Sequence, residues 1–243
     1  MKLITLNTWG KSGPYQKRWN YLLETLQTLK PDVLCLQEVA DDELTQLLQK
    51  TFQFKHHAAA YSAGLLLISK LPLSENLTID YQHVSPSEKN YERKAVMTKV
   101  KVGNQNLIIA NTHLAWRAED RSVRNGQISE LLKAVKKTGF PALICGDLND
   151  IPESSILEET RLAEYENLLQ AFQPEAITWD NRNPFIQSHS VRFPDRQVDY
   201  ILIHNLAARI LKTKDCVVTF DRHNQESIYP SDHYGIVAEF EVL

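Results

Sequence analysis

The chain has 243 residues, 43% hydrophobic and 23% charged, with 27 basic against 30 acidic side chains. That is the composition of an ordinary globular protein, and a formal net charge of −3 excludes binding of nucleic acid through bulk positive charge alone. No apolar run approaches the ~18 residues of a membrane-spanning helix, and Met1-Lys2-Leu3-Ile4-Thr5-Leu6-Asn7 lacks the apolar core of a secretory signal. The cysteines Cys35, Cys145 and Cys216 are far apart and odd in number, which predicts free thiols and a cytoplasmic location. With no Gly/Ser linker and no short-period repeat, residues 1–243 are expected to form one domain.

In chain order, Leu3–Trp9 reads as a buried strand. Pro14 opens a helix whose Trp19, Leu22, Leu23, Leu26 and Leu29 share one face, and Pro31 stops it. Val33–Gln37 is a second buried strand, and Asp42–Lys50 a short helix. Gly64–Ser69, Ala95–Val102 and Leu107–Thr112 are strands, the last two joined by a Gly103-Asn104 turn. A helix is expected over Glu119–Lys137, a strand over Ala142–Cys145 and mostly helix over Leu157–Phe172. Strands over Val198–Ile203 and Gly235–Val242 close the chain. Several strands follow one another by short turns, which favours an α/β sandwich with mixed sheets over a doubly wound parallel sheet.

Polar motifs sit at the ends of these apolar runs: Leu6-Asn7-Thr8-Trp9, Leu36-Gln37-Glu38-Val39, Asn111-Thr112-His113-Leu114, Gly146-Asp147-Leu148-Asn149, Gln197-Val198-Asp199-Tyr200-Ile201 and Ser231-Asp232-His233-Tyr234-Gly235. Their Asn, Glu, His and Asp side chains suit a hard divalent cation and phosphate chemistry. A carboxylate such as Glu38 ending a buried strand must coordinate a cation or pair with a basic side chain. Standing alone, Asp147 and Asn149 favour an Asx turn with no chemistry.

The ordered set of motifs, from Asn7 to Gly235, resembles the endonuclease/exonuclease/phosphatase superfamily, which includes deoxyribonuclease I. Thr178-Trp179-Asp180, Asp199-Tyr200-Ile201 and Pro230–Gly235 are further similar to the 5′-tyrosyl-DNA phosphodiesterase and neutral sphingomyelinase-like branches. The resemblance implies a four-layered α-β-β-α sandwich of two mixed sheets flanked by helices. It implies Glu38, Asn7 and Asp232 as metal-side residues for Mg²⁺, or Mn²⁺ in its place. Asp147 would prepare the attacking water and Asn149 position it. His233, oriented by Asp199, would stabilise charge on the phosphate, with His113 assisting. Where some relatives carry an acidic residue two positions after this asparagine, the chain has Trp9.

Arg93, Trp179, Arg192 and Arg196 are candidates for substrate binding. For Arg93 the competing reading is a solvated basic turn, and for Trp179 a packing role. His56, His57, His83, His189, His204 and His223 receive no role. The expected function is Mg²⁺-dependent hydrolysis of a phosphodiester, in nucleic acid or at its end, by a monomer without stable membrane insertion. The alternatives are a sphingomyelinase-like lipid or small-molecule phosphodiesterase, and a catalytically silent binding protein.

Overall fold

The computed structural model describes residues 1–243. In chain order it contains β1 (Lys2–Asn7), α1 (Tyr15–Leu29), β2 (Val33–Gln37), α2 (Glu43–Thr51), β3 (His56–Ala60), β4 (Leu65–Ser69) and β5 (Leu73–Asp80). There follow β6 (Lys94–Val102), β7 (Gln105–His113), α3 (Arg121–Thr138), β8 (Ala142–Asp147), α4 (Ser155–Leu162) and β9 (Tyr165–Asn167). Then come α5 (Leu168–Phe172), β10 (Asp199–His204), β11 (Leu211–Thr219) and β12 (Gly235–Val242).

The strands form two six-stranded mixed sheets, ordered β11-β12-β1-β2-β4-β3 and β5-β6-β7-β8-β10-β9. Apolar side chains of both sheets, among them Leu3, Cys35, Leu67, Ile109, Cys145 and Ile236, meet in the core between them. The helical stripe of α1 (Trp19, Leu22, Leu26) and Leu44 and Leu48 of α2 cover the outer face of the first sheet against Ile4, Leu34 and Ile68. Ile128 and Leu131 of α3, with Ile156 of α4, cover the second against Ile144 and Leu202. This is the expected α-β-β-α sandwich. No helix is long and apolar enough to cross a membrane.

Leu157–Phe172 is mostly helix, as expected, with a short strand interrupting it. Glu164 turns into the left-handed region at φ 66°. Tyr165–Asn167 then pairs with β10, and α5 restarts with the Asn167 side chain accepting the Gln170 N–H. The first strand likewise stops at Asn7, because Trp9 is left-handed at φ 54°. The helix expected from Glu119 begins at Arg121, after a 3-10 turn over Ala118–Asp120. Strands β3, β5, β9 and β11 carry no buried apolar run that would mark them. β5 is a largely exposed edge, and β11 alternates around a bulge between Thr213 and Asp215.

Topology brings the polar motifs to one end of the sandwich. The parallel pairs β1/β2 and β7/β8 finish side by side, placing Asn7 opposite Gln37 and His113 opposite Asp147. β10 and β12 run the other way, so their starts meet those ends; Asp199 lies opposite Asp147. Beneath the site the two sheets are tied by an amide pair. Gln37 Nε2 donates to Asn111 Oδ1 at 2.7 Å, while Asn111 Nδ2 donates to the Leu36 and Leu66 carbonyls at 2.9 and 3.0 Å.

Candidate active site

A cleft of about 490 Å³ opens over these strand ends. Its geometry requires backbone that few residues adopt. Gly146 is at φ 141°, and a Cβ there would lie 1.9 Å from the Thr112 carbonyl oxygen, so only glycine lets β8 pass β7 on the way to Asp147. Glu38 is left-handed at φ 59°, held against Gly64 by the Val39 N–H bond to the Gly64 carbonyl at 2.9 Å. Strain of this kind is retained where the surroundings over-determine it, commonly at functional sites.

Asn7, Glu38, His113, Asp147, Asn149, Asp232 and His233 all line the cleft. The amide nitrogen of Asn7 bridges the two sheets, donating to Glu38 Oε1 at 3.1 Å and Asp147 Oδ2 at 3.0 Å. Its oxygen accepts the Trp9 N–H at 3.0 Å. The Asx turn weighed for Asp147 is present: Oδ1 accepts the Asn149 N–H at 2.9 Å. The turn leaves Oδ2 facing His113 Nε2 at 3.4 Å and His233 Nε2 at 3.8 Å. Asn149 is fixed through its side chain to the Leu114 carbonyl at 3.0 Å.

Asp199 is wholly buried behind the cleft, and its Oδ2 accepts His233 Nδ1–H at 2.9 Å. Its position is set by Thr178, whose hydroxyl oxygen accepts the Val198 and Asp199 N–H groups at 3.0 and 3.1 Å. Trp179 packs edge-on against His233, with ring centroids 5.0 Å apart. Packing and lining of the cleft are therefore the same role for this tryptophan.

Burial raises the Asp147 pKa, the nearby Asp199 carboxylate adds to it, and together they carry it up to about 7. Burial alone would discharge His233, but Asp199 and Asp147 outweigh it and hold the imidazole well above its ordinary range, so the ring is charged. Burial, Arg93 and His233 hold His113 well below that range, so it is neutral. Burial and Asp232 push Glu38 upward.

The donor set fits a hard divalent cation at Glu38. The sole hydrogen bond to its carboxylate comes from Asn7, no basic side chain pairs with it, and a second carboxylate, Asp232, lies close by. Asp147, Asp199 and His233 also present ligand atoms within 4.8 Å of one another. Within this group His233 gives its Nδ1–H to Asp199, and its Nε2 lies 3.8 Å from Asp147 Oδ2, an arrangement suited to handling protons.

Two residues that sequence reasoning passed over complete the site. His189, from the loop before β10, donates from Nε2 to Asp232 Oδ2 at 2.8 Å and lies between the Trp9 and Trp179 rings at 5.9 and 5.4 Å. No periodicity or motif marks it. Arg18 is fully buried and donates to the carbonyls of Thr8, Trp9, Gly10, Ser12 and Pro230, tying the loop after β1 to the approach to Asp232. Burial draws its pKa down to about 10. Its signal was available, since Arg18 lies four residues before Leu22 on the apolar stripe.

Of the substrate candidates, Arg93 and Arg196 line the cleft. Arg93 is no solvated turn; it is buried against Glu88, with Nε and a terminal nitrogen at 2.9 and 2.8 Å. Arg192 is exposed, donates to the Gln187 carbonyl at 3.0 Å and does not line the cleft.

The profile of the Endonuclease/Exonuclease/phosphatase family matches residues 4–233. The chain belongs to this family, whose members hydrolyse phosphoester bonds. It is 26% identical to Protein angel of Drosophila melanogaster over 59% of this chain and 46% of that protein. It is 26% identical to a putative neutral sphingomyelinase of the same organism over 63% of this chain and 40% of that protein. The chain thus spans less than half the length of either relative. Among solved structures, D. rerio TDP2 complexed with single strand DNA product superposes with a TM-score of 0.82 at 18% identity, covering 100% of this chain and 99% of that one. The fold is the same.

Proposed function

We propose that the protein is a Mg²⁺-dependent phosphodiesterase that cleaves nucleic acid, or a group at its end, by in-line attack of water. The observation that carries this reading is the pairing in one cleft of a cation-seeking Glu38 with the buried chain Asp147, charged His233 and Asp199.

Glu38, with Asp232 and the Asn7 side chain, would hold the cation. Bound there, it would supply Lewis-acid polarisation of the phosphate. Asp147 accepts a proton from the attacking water at Oδ2, while the Asn149 N–H keeps Oδ1 from turning. Asn149 lines the cleft beside it and helps place that water. His233 presents its second N–H to the non-bridging oxygens as they gain charge, and Asp199 fixes the ring's tautomer and orientation. Neutral His113 donates to the phosphate or the leaving oxygen. Trp179 and Arg93 border the bound ester. The exposed Arg192 is left as a contact for substrate beyond the cleft.

The nucleic-acid reading is supported by the likeness to TDP2 with its bound single strand DNA product. The match to a putative neutral sphingomyelinase supports a lipid phosphodiester as the second reading. Both sheets contribute to one cleft, in keeping with a monomeric catalytic domain over 1–243, and three buried free thiols suit a cytoplasmic setting.

The test is hydrolysis with Mg²⁺ of single-stranded DNA and RNA, abasic DNA, 5′-phosphotyrosyl DNA, sphingomyelin and inositol phosphates. Turnover of a nucleic-acid ester that Asp147→Ala abolishes is expected. No turnover of any phosphoester would sink the reading in favour of a silent binding protein.

A further inference from the structure

The cleft's second arginine differs from its first. Arg93 is neutralised by Glu88, which also accepts the Trp116 N–H at 2.8 Å. The arginines in ion pairs are Arg93, Arg124, Arg161 and Arg182; Arg196 is not among them. Its Nε is buried with no hydrogen-bond partner. The two carboxylates that pull on it are already engaged: Asp147 by Asn7 and Asn149, and Asp150 by Arg124 Nε at 3.0 Å.

The arginine is nonetheless held rigidly. Its guanidinium carbon lies 4.0 Å from the centroid of the Phe193 ring. Its N–H donates to the Trp179 carbonyl at 3.0 Å, and its own carbonyl accepts the Thr178 and Trp179 N–H groups at 3.1 and 3.0 Å. A planar fork stacked on an aromatic ring, anchored through its main chain and lacking an internal acceptor, is prepared for an external anion with two oxygens to offer.

Arg196 is linked to His233 through two rings: the Trp179 ring centroid lies 5.0 Å from that of His233 and 6.4 Å from that of Phe193, on which the guanidinium is stacked. We infer that Arg196, stacked on Phe193, forms a second phosphate subsite that takes the phosphate next to the scissile one along a nucleic-acid strand. The inference rests on the phosphodiesterase reading and narrows it. An ester with a single phosphate leaves Arg196 without a partner, so the cleft is built for an oligonucleotide. One fixed cation then does locally what a chain of net charge −3 cannot do in bulk.

The experiment replaces the phosphates of a short oligonucleotide one at a time by uncharged methylphosphonate. It measures kcat/KM with Mg²⁺ for the native chain, Arg196→Gln and Arg196→Lys. In the native chain, one neutral neighbouring linkage is expected to cost roughly 10- to 100-fold, the worth of a charge-assisted contact. Arg196→Gln pays that cost already on the all-phosphate strand and is indifferent to the same neutral linkage. Arg196→Lys keeps the charge but not the fork and recovers part of the loss. Tolerance of a neutral linkage at every neighbouring position overturns the subsite, as does an undiminished penalty in Arg196→Gln. So does cleavage of sphingomyelin vesicles with oligonucleotides left intact. Should Arg196→Gln fail to melt cooperatively, the native scan and Arg196→Lys decide. Bis(4-nitrophenyl) phosphate separates the two claims. If neither it nor any oligonucleotide is cleaved, the underlying reading fails; cleavage of both without neighbour preference fails only the subsite.

Discussion

The two halves of the cleft carry similar residues in opposite electrostatic states. The first sheet brings Asn7 and Glu38, and the segment entering it brings Asp232. Its Glu38 faces a second carboxylate with only an amide for a partner. The second sheet brings His113, Asp147 and Asp199, and there the acids are arranged around an imidazole. Four carboxylates at one end of a sandwich thus divide into Glu38 and Asp232, the latter already bonded to His189, and a pair that shares the charge of His233. Neither half is complete alone. Asn7 reaches across to Asp147, His233 reaches across to Asp199, and Gln37 meets Asn111 below them.

The strongest way to break this division is to remove the second sheet's acid. Asp147→Ala is expected to lower kcat by about 10³-fold or more in a Mg²⁺ assay, with the circular dichroism spectrum unchanged. Asp199→Ala acts through His233 and should lose a comparable factor, together with the charged-imidazole limb of the pH–rate profile. If Asp199→Ala kept that limb, His233 would owe its charge to something other than this pair.

A second break targets the link between the loops. Arg18→Met removes the donors to the carbonyls of Thr8, Trp9, Gly10, Ser12 and Pro230, of which those of Thr8 and Pro230 are buried. The expected loss is about 3 kcal/mol in urea unfolding, since several main-chain acceptors are orphaned at once. A loss below about 1 kcal/mol would mean that water takes over those carbonyls.

The floor of the cleft was legible from the sequence, and the rim was not, for a physical reason. Asn7, Glu38, His113 and Asp147 each follow a run of buried apolar residues, so strand pairing alone carries them to one end. His189 reaches Asp232 only because the loop over 181–198 folds back, tied by Asn183 Nδ2 to the Ser231 and Asp232 carbonyls at 2.9 and 3.1 Å. No local pattern encodes that contact. The stretch Leu157–Phe172, mostly helix as expected, shows the converse at Tyr165–Asn167. Its apolar spacing suits a helix, but pairing of Tyr165–Asn167 with β10 overrides it. Arg18 is legible in the sequence, because a charge on a buried helical stripe must have partners.

Metal binding sharpens the first sheet's side of the comparison. Glu38→Gln keeps the shape and the Asn7 contact but removes the charge, and is expected to weaken Mg²⁺ binding roughly 10- to 100-fold by calorimetry. Excess Mg²⁺ should restore part of its activity, whereas Asp147→Ala should gain nothing from it. Equal rescue of both would erase the distinction between the halves.

The smallest effect is a gain of stability. The ordinary value for the Asp147 carboxyl is 3.8, and in the fold it is pushed up to about 7 by burial first and Asp199 second. A raised pKa means that the folded chain holds this proton more tightly than the unfolded chain. The resulting stabilisation is complete below pH 3.8 and is lost as pH rises through about 7. Asp147→Asn cannot ionise, and Asp199 still holds His233 charged in the variant. Without metal, the variant should therefore gain on the native chain as pH rises from about 4 to 8. The shift, which already contains the contacts from Asn7 and His233 to the ionised carboxylate, sets a ceiling of about 4 kcal/mol on that gain. Thermal unfolding in EDTA at both pH values measures it. A difference that stays flat between them would mean that Asp147 is ionised throughout, with His233 already its full counter-charge.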